Sequence, residues 1–132
     1  MEPADKKHIL LVEDDVFMID LLANELTLAG FEVTIAKTGK EGVEKYDEAK
    51  PDLMILDILL PDQDGFETLR QIRRKPGGID AKVIILSNIA EGPNIDEAKR
   101  LGALEYLIKA NLSLADIVVK AKNALALTDA AK

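Results

Sequence analysis

Glu13 with Asp14, Asp57, Ser87 and Lys109 each close a short apolar run: "ILLVEDD" (9–15), "LMILD" (53–57), "VIILS" (83–87) and "YLIK" (106–109). If the chain gathers these run ends, three carboxylates, a hydroxyl and an ammonium meet at one place. Converging carboxylates repel by about 4 kcal/mol per pair at 4 Å with an effective dielectric near 20, and they raise one another's pKa values. A hard divalent cation relieves the repulsion, and an all-oxygen set with room for water suits Mg²⁺ or Mn²⁺. With a lysine and a hydroxyl beside it, such a cation makes a phosphoryl site: cation and Lys109 neutralise the transferring oxygens, and Ser87 donates to one of them. A carboxylate can act there as nucleophile and form an aspartyl phosphate. Asp57, alone at the tip of the third strand, is the best placed.

The elements that must position these groups follow from periodicity. "HILLVE" (8–13) is apolar without helical spacing and reads as a strand, with His8 in its exposed lead-in. The next stretch carries Phe17, Leu21 and Leu28 with Met18, Leu22 and Leu26, a broad stripe expected to face the core of a helix that Gly30 stops. "FEVTIA" (31–36) alternates and is β-branched. Thr38 caps a second helix with Val43 and Tyr46 inward and Pro51 beyond its end. After the strand 53–57, a helix over about 65–74 ends in Arg70, Arg73, Arg74 and Lys75, cations that suit the negative end of its dipole. Asp62 and Asp64 read as turn and N-cap residues of that helix. A strand at 82–87, a short helix at 94–102 with Ile95, Ala98 and Leu101 inward, and a strand at 103–109 come next. Ser113 and Asp116 then open a last helix with Leu114, Ile117, Val118, Ala121 and Leu125 on one side.

Five strands alternating with five helices require a parallel, doubly wound sheet with helices on both faces, because every parallel pair needs a right-handed crossover. In such α/β sheets ligands bind beyond the carboxyl ends of the strands. Those ends are where the acids, Ser87 and Lys109 stand.

At 132 residues the chain is one domain, and without cysteine it has neither disulfides nor thiolate metal sites. A net charge of −7 argues against a nucleic-acid partner. No run is long enough for a signal peptide or a bilayer span, so a cytoplasmic protein without membrane association is expected. A phosphatase or nucleotide-binding enzyme on the same fold is disfavoured, since the sequence has no G-x-x-x-x-G-K-[ST] and no glycine-rich turn after the first strand.

"LLVEDD", "MILDILLPDQDG", "IILS" and "YLIK", in this order and spacing, resemble the receiver domain of two-component response regulators, above all the stand-alone receivers typified by the chemotaxis response regulator. The resemblance implies a flavodoxin-like fold with strand order 2-1-3-4-5, a receiver domain over 8–127 between tails at 1–7 and 128–132, and no output domain. It makes Asp57 the acceptor of a phosphoryl group from a sensor histidine kinase or phosphotransfer protein. Mg²⁺ would be held by Glu13, Asp14, Asp57 and the main-chain carbonyl of Leu59, while Ser87 and Lys109 sense the phosphate. Ser87 and Tyr106 form the switch, and the face built from the fourth helix, fifth strand and fifth helix meets a downstream protein. By the same resemblance the protein is a switch rather than an enzyme, catalysing at most its own phosphorylation and dephosphorylation.

Each assignment has a plainer alternative. Glu13, Asp14 and Asp15 could be a helix-start cluster, the reading preferred for Asp15, and Tyr106 could be ordinary core. The sequence also departs from the family pattern. Ala110 follows Lys109 where the family has a cis proline, so a trans bond is expected, and Asn88 is larger than the usual residue after the hydroxyl, narrowing the phosphate's entrance. Leu59 and Ile89, also at that entrance, are apolar where fast-hydrolysing relatives carry groups that position water. The phosphorylated form is therefore expected to be long-lived. Ala110 and Asn88 also keep open a second reading, a receiver-like docking module that is never phosphorylated.

Overall fold

In the computed structural model residues 6–130 are described, with side chains through residue 126; of the expected tails at 1–7 and 128–132, residues 1–5 and 131–132 lie outside them, and 128–130 continue the last helix. The elements run β1 (His8–Val12), α1 (Val16–Leu28), β2 (Glu32–Ala36), α2 (Gly39–Ala49), β3 (Leu53–Leu56), α3 (Gly65–Arg73), β4 (Val83–Ser87), α4 (Gly92–Arg100), β5 (Glu105–Ile108) and α5 (Leu114–Ala130). Two 3-10 turns, Gly78–Asp80 and Lys109–Asn111, precede β4 and α5.

The five strands form one parallel sheet in the order β2-β1-β3-β4-β5, the flavodoxin-like arrangement expected. Alternation along each strand divides the core in two. Ile9 and Leu11 of β1, with Ile55 and Leu86, pack under Leu22 and Leu26 of α1 and Ile117 and Ala121 of α5. Leu10 and Val12, with Leu56 and Ile85, pack under Phe66, Leu69 and Ile72 of α3 and Ala98 of α4. No helix among the described residues is long and apolar enough to cross a membrane.

The helix ends follow the expected chemistry. Thr38 caps α2 by accepting from the Glu41 N–H, and Ser113 with Asp116 forms a reciprocal capping box at α5. α4 starts earlier than the apolar spacing indicated, at Gly92, because Pro93 occupies its first turn, where a missing N–H costs nothing.

Two readings need correction. On α1, Phe17, Leu21 and Leu28 are exposed, at 81%, 56% and 75%, and Ile19 joins Leu22 and Leu26 in the core. Apolar residues flank the polar stripe of Asp20, Asn24 and Thr27 on both sides, so which flank is buried is set by what the helix packs against, the sheet and α5. His8 is half-buried inside β1, where its ring Nε2 lies 2.6 Å from Thr34 Oγ1. Asp62 lies in the bend before α3, as read, and its two oxygens accept from the Gly39 and Lys40 N–H groups at 2.7 and 2.9 Å, at the start of α2.

Candidate functional site

Strand pairing places the backbone of the acidic residues. One residue beyond β1 the Glu13 N–H bonds the Ala36 carbonyl, and one beyond β3 the Asp57 N–H bonds the Val12 carbonyl, at 2.9 and 3.0 Å. The loop after Asp57 is tied to α2 through Asp62 and enters α3 through the N-cap Asp64, which accepts from Phe66 N–H at 2.7 Å. Gly65, the first residue of α3, passes so close to β3 that a Cβ there would lie 2.2 Å from the Asp57 carbonyl oxygen. Only glycine allows that approach.

At the carboxyl edge, Glu13 and Asp57 are buried, Ser87 is fully buried and Asp14 is exposed. Lys109 Nζ lies 2.6 Å from Glu13 Oε1 and 2.8 Å from Asp57 Oδ2. The other Glu13 oxygen accepts from the Asp14 and Asp15 N–H groups, and Asp57 Oδ1 accepts from Leu59 N–H at 3.2 Å. Burial pushes the Glu13 carboxyl above its ordinary value, against the hydrogen bonds from Lys109 and the Asp15 backbone. For Lys109 burial works downward, but the bonds to Asp57 and Glu13 outweigh it and hold the ammonium above its ordinary value.

Glu13, Asp14 and Asp57 each offer a carboxylate oxygen, all within 4.8 Å of one another. When all are ionised, three carboxylates against the one ammonium of Lys109 leave a charge of −2. That is the charge, and oxygen is the donor type, for a divalent hard cation, so the residues present fit Mg²⁺.

Ser87 and Tyr106 stand on β4 and β5, the next two strands of the sheet. The Ser87 Oγ accepts from Ile89 N–H at 3.2 Å, and the Tyr106 hydroxyl donates to the Ile89 carbonyl, so both hold the loop after β4. Asn88 in that loop accepts from the Ala110 N–H at 3.1 Å, across to the turn that carries Lys109. Sequence reasoning saw Asn88 as bulk and missed this bond, which needs a partner 22 residues away. The Lys109–Ala110 peptide is trans, as expected. Leu59 is 61% exposed beside the acids, and Ile89 is half-buried.

Comparison with known proteins agrees with this geometry. The response regulator receiver domain matches residues 9–122. The chain is 37% identical over 106 residues to the chemotaxis protein CheY of Thermotoga maritima, covering 78% of this chain and 85% of that protein. To the chemotaxis protein CheY of Listeria monocytogenes it is 39% identical over 102 residues, covering 76% and 84%. The crystal structure of a CheY-like receiver domain protein from Methanospirillum hungatei superposes with a TM-score of 0.87 at 31% identity, over 97% of this chain and 100% of that one. With the sheet order, the acidic edge and a match along most of its length, the chain belongs to the response regulator receiver domain family.

Proposed function

We propose that this receiver domain is a phosphorylation switch whose acceptor is Asp57, working opposite a sensor histidine kinase or phosphotransfer protein. The observation that carries the reading is the position of Lys109, whose ammonium bridges Asp57 and Glu13 beside the Asp14 carboxylate. An Asp57 carboxylate oxygen forms a bond to phosphorus while the donor's phosphorus–nitrogen bond breaks, and the imidazole leaves with the electron pair. Lys109 and the Leu59 N–H, already at the Asp57 oxygens, stabilise the charge that the phosphoryl oxygens bring. Glu13, Asp14 and Asp57, with the main-chain carbonyl of Leu59, would hold Mg²⁺ or Mn²⁺, which when bound neutralises the acidic cluster and the transferring oxygens.

The product carries roughly −1.5 to −2 charges at the sheet edge. Ser87 is the hydroxyl next to it, and turning toward the phosphoryl group costs its bond with Ile89 N–H. The loop that Ile89 shares with Tyr106 then moves, and the face of α4, β5 and α5 changes its affinity for a downstream protein. α4 buries only Ala98 and is the element best able to yield.

The test is intact mass after incubation with Mg²⁺ and acetyl phosphate, with Asp57→Ala in parallel. One added phosphoryl group in the parent and none in the variant supports the reading. No addition to a parent that binds Mg²⁺ replaces it with a docking module that switches by binding alone.

A further inference from the structure

Ala110 is the middle residue of the 3-10 turn Lys109–Asn111, whose closing bond runs from Leu112 N–H to the Lys109 carbonyl. The first N–H groups of such a turn have no partner within it. That of Ala110 is met by the side chain of Asn88, at 3.1 Å. Because the partner is an N–H, the carboxamide must present its oxygen.

The bond joins two segments with different cargo. Asn88 follows Ser87 directly, and Ala110 follows Lys109 directly. Ser87 and Ile108 are register partners on β4 and β5, so hydroxyl and ammonium project from neighbouring strand ends. The Asn88–Ala110 bond spans the gap just beyond those ends. Asn88 and Ala110 line an open surface hollow of about 390 Å³ together with Asp15, Met18, Leu21 and Lys109. Asn88 and Ala110 are themselves exposed, so core packing does not hold the two segments together at this point.

We propose that Asn88 is a positioning residue that yokes the loop of Ser87 to the turn of Lys109, so that hydroxyl and ammonium close on a phosphoryl group at Asp57 as one unit. The proposal rests on the phosphoacceptor reading above. Lys109 already contacts Asp57, whereas Ser87 is engaged by Ile89 and has to be drawn over. With the yoke, the turn that carries the bound lysine fixes where the Ser87 loop can go. Without it, the loop is ordered separately, at an entropic cost to phosphoryl binding.

The experiment compares the parent with Asn88→Leu, which keeps the shape and loses the acceptor, Asn88→Ala, which loses both, and Asn88→Asp, which keeps an acceptor oxygen. Amide hydrogen exchange at Ala110 reads the bond itself. Exchange should quicken by about 5-fold in the Leu and Ala variants, the share of one net hydrogen bond, and stay near the parent rate in Asp. Beryllofluoride in Mg²⁺, a phosphoryl mimic, reads the role: its affinity should fall by about 5-fold in both Leu and Ala, with affinity for Mg²⁺ alone unchanged.

Unchanged exchange at Ala110, a loss of beryllofluoride affinity in Ala but not in Leu, or an equal loss of Mg²⁺ affinity would each overturn the yoke. A parent that binds Mg²⁺ but no beryllofluoride overturns the phosphoacceptor reading and the yoke with it. A parent that binds both, with variants that bind equally well, overturns the yoke alone.

Discussion

Glu13 and Lys109 form a buried ion pair at 2.6 Å, yet the Glu13 carboxyl lies above its ordinary value because burial outweighs the lysine. A raised carboxyl binds protons more tightly in the folded chain than in the unfolded one. As pH rises from the ordinary glutamate value through the raised one, the folded state therefore loses stability. Glu13→Gln has no such loss. In urea unfolding without divalent cations, the stability of Glu13→Gln relative to the parent should rise across that window and level off above it. A difference that is flat, or that falls with pH, would mean that Lys109 more than compensates the burial. Lys109, raised in its turn, gives stability that is fully present below its ordinary value and lost only at strongly alkaline pH.

With Asp57 as the proposed acceptor, Leu59 and Ile89 are expected to bear on how long a phosphoryl group stays. Hydrolysis of an acyl phosphate needs a water held in line with the phosphorus. Leu59 sends its N–H to Asp57 and leaves its side chain 61% exposed, and neither side chain can hydrogen-bond that water. The phosphorylated parent should persist for minutes or longer in Mg²⁺, and Leu59→Asn should shorten its lifetime several-fold, followed by loss of the mass adduct. A parent that loses its phosphoryl group within a minute would sink the idea.

Legibility in the sequence divides along a physical line. The strands and the convergence of Glu13, Asp14, Asp57, Ser87 and Lys109 on one edge could be read because each strand is a local apolar or alternating run, whereas the strand order came only from the family resemblance. A parallel sheet must then carry all run ends to the same side. Local capping was also legible at Thr38, Asp64 and Ser113. What escaped is the pairing of groups far apart in sequence: Asp62 with the start of α2, Asn88 with Ala110, and Arg73 with five carbonyls. The outward face of α1 escaped for a related reason. Phe17, Leu21 and Leu28 are as apolar as Ile19 and Leu22, and only docking against the sheet and α5 chooses between the two faces.

Arg73 shows what such a distant pairing is worth. Its guanidinium donates to the carbonyls of Gly78, Ile79, Ala81, Leu101 and Gly102, joining the end of α3 to the entrance of β4 and the end of α4. Burial lowers its pKa, and among the described residues no carboxylate pairs with it directly. Arg73→Ala should cost about 2 to 4 kcal/mol in urea unfolding, because it leaves part-buried carbonyls without donors. Arg73→Lys should recover little, since an ammonium cannot spread over the same fork of acceptors. Full recovery by lysine would show that charge rather than geometry holds these segments.

Tyr106 offers the sharpest test of the proposed switch. Its hydroxyl donates to the Ile89 carbonyl, and Ile89 N–H donates to Ser87, so the phenol and the serine hold the same residue from two sides. For Ser87 to turn toward a phosphoryl group that residue must be released, and the Tyr106 bond then counts toward the resting arrangement. Tyr106→Phe removes the bond but keeps the ring against the core that Ile85, its register partner, belongs to. The Ile89 carbonyl lies in a half-exposed loop where water can replace the phenol, so the stability cost should be small, about 1 kcal/mol or less. The switching equilibrium should move by a comparable amount toward the engaged state, and beryllofluoride should bind up to about 5-fold tighter than to the parent. Weaker binding in Tyr106→Phe would show the reverse, that the phenol supports the engaged arrangement and its bond to Ile89 is made in both.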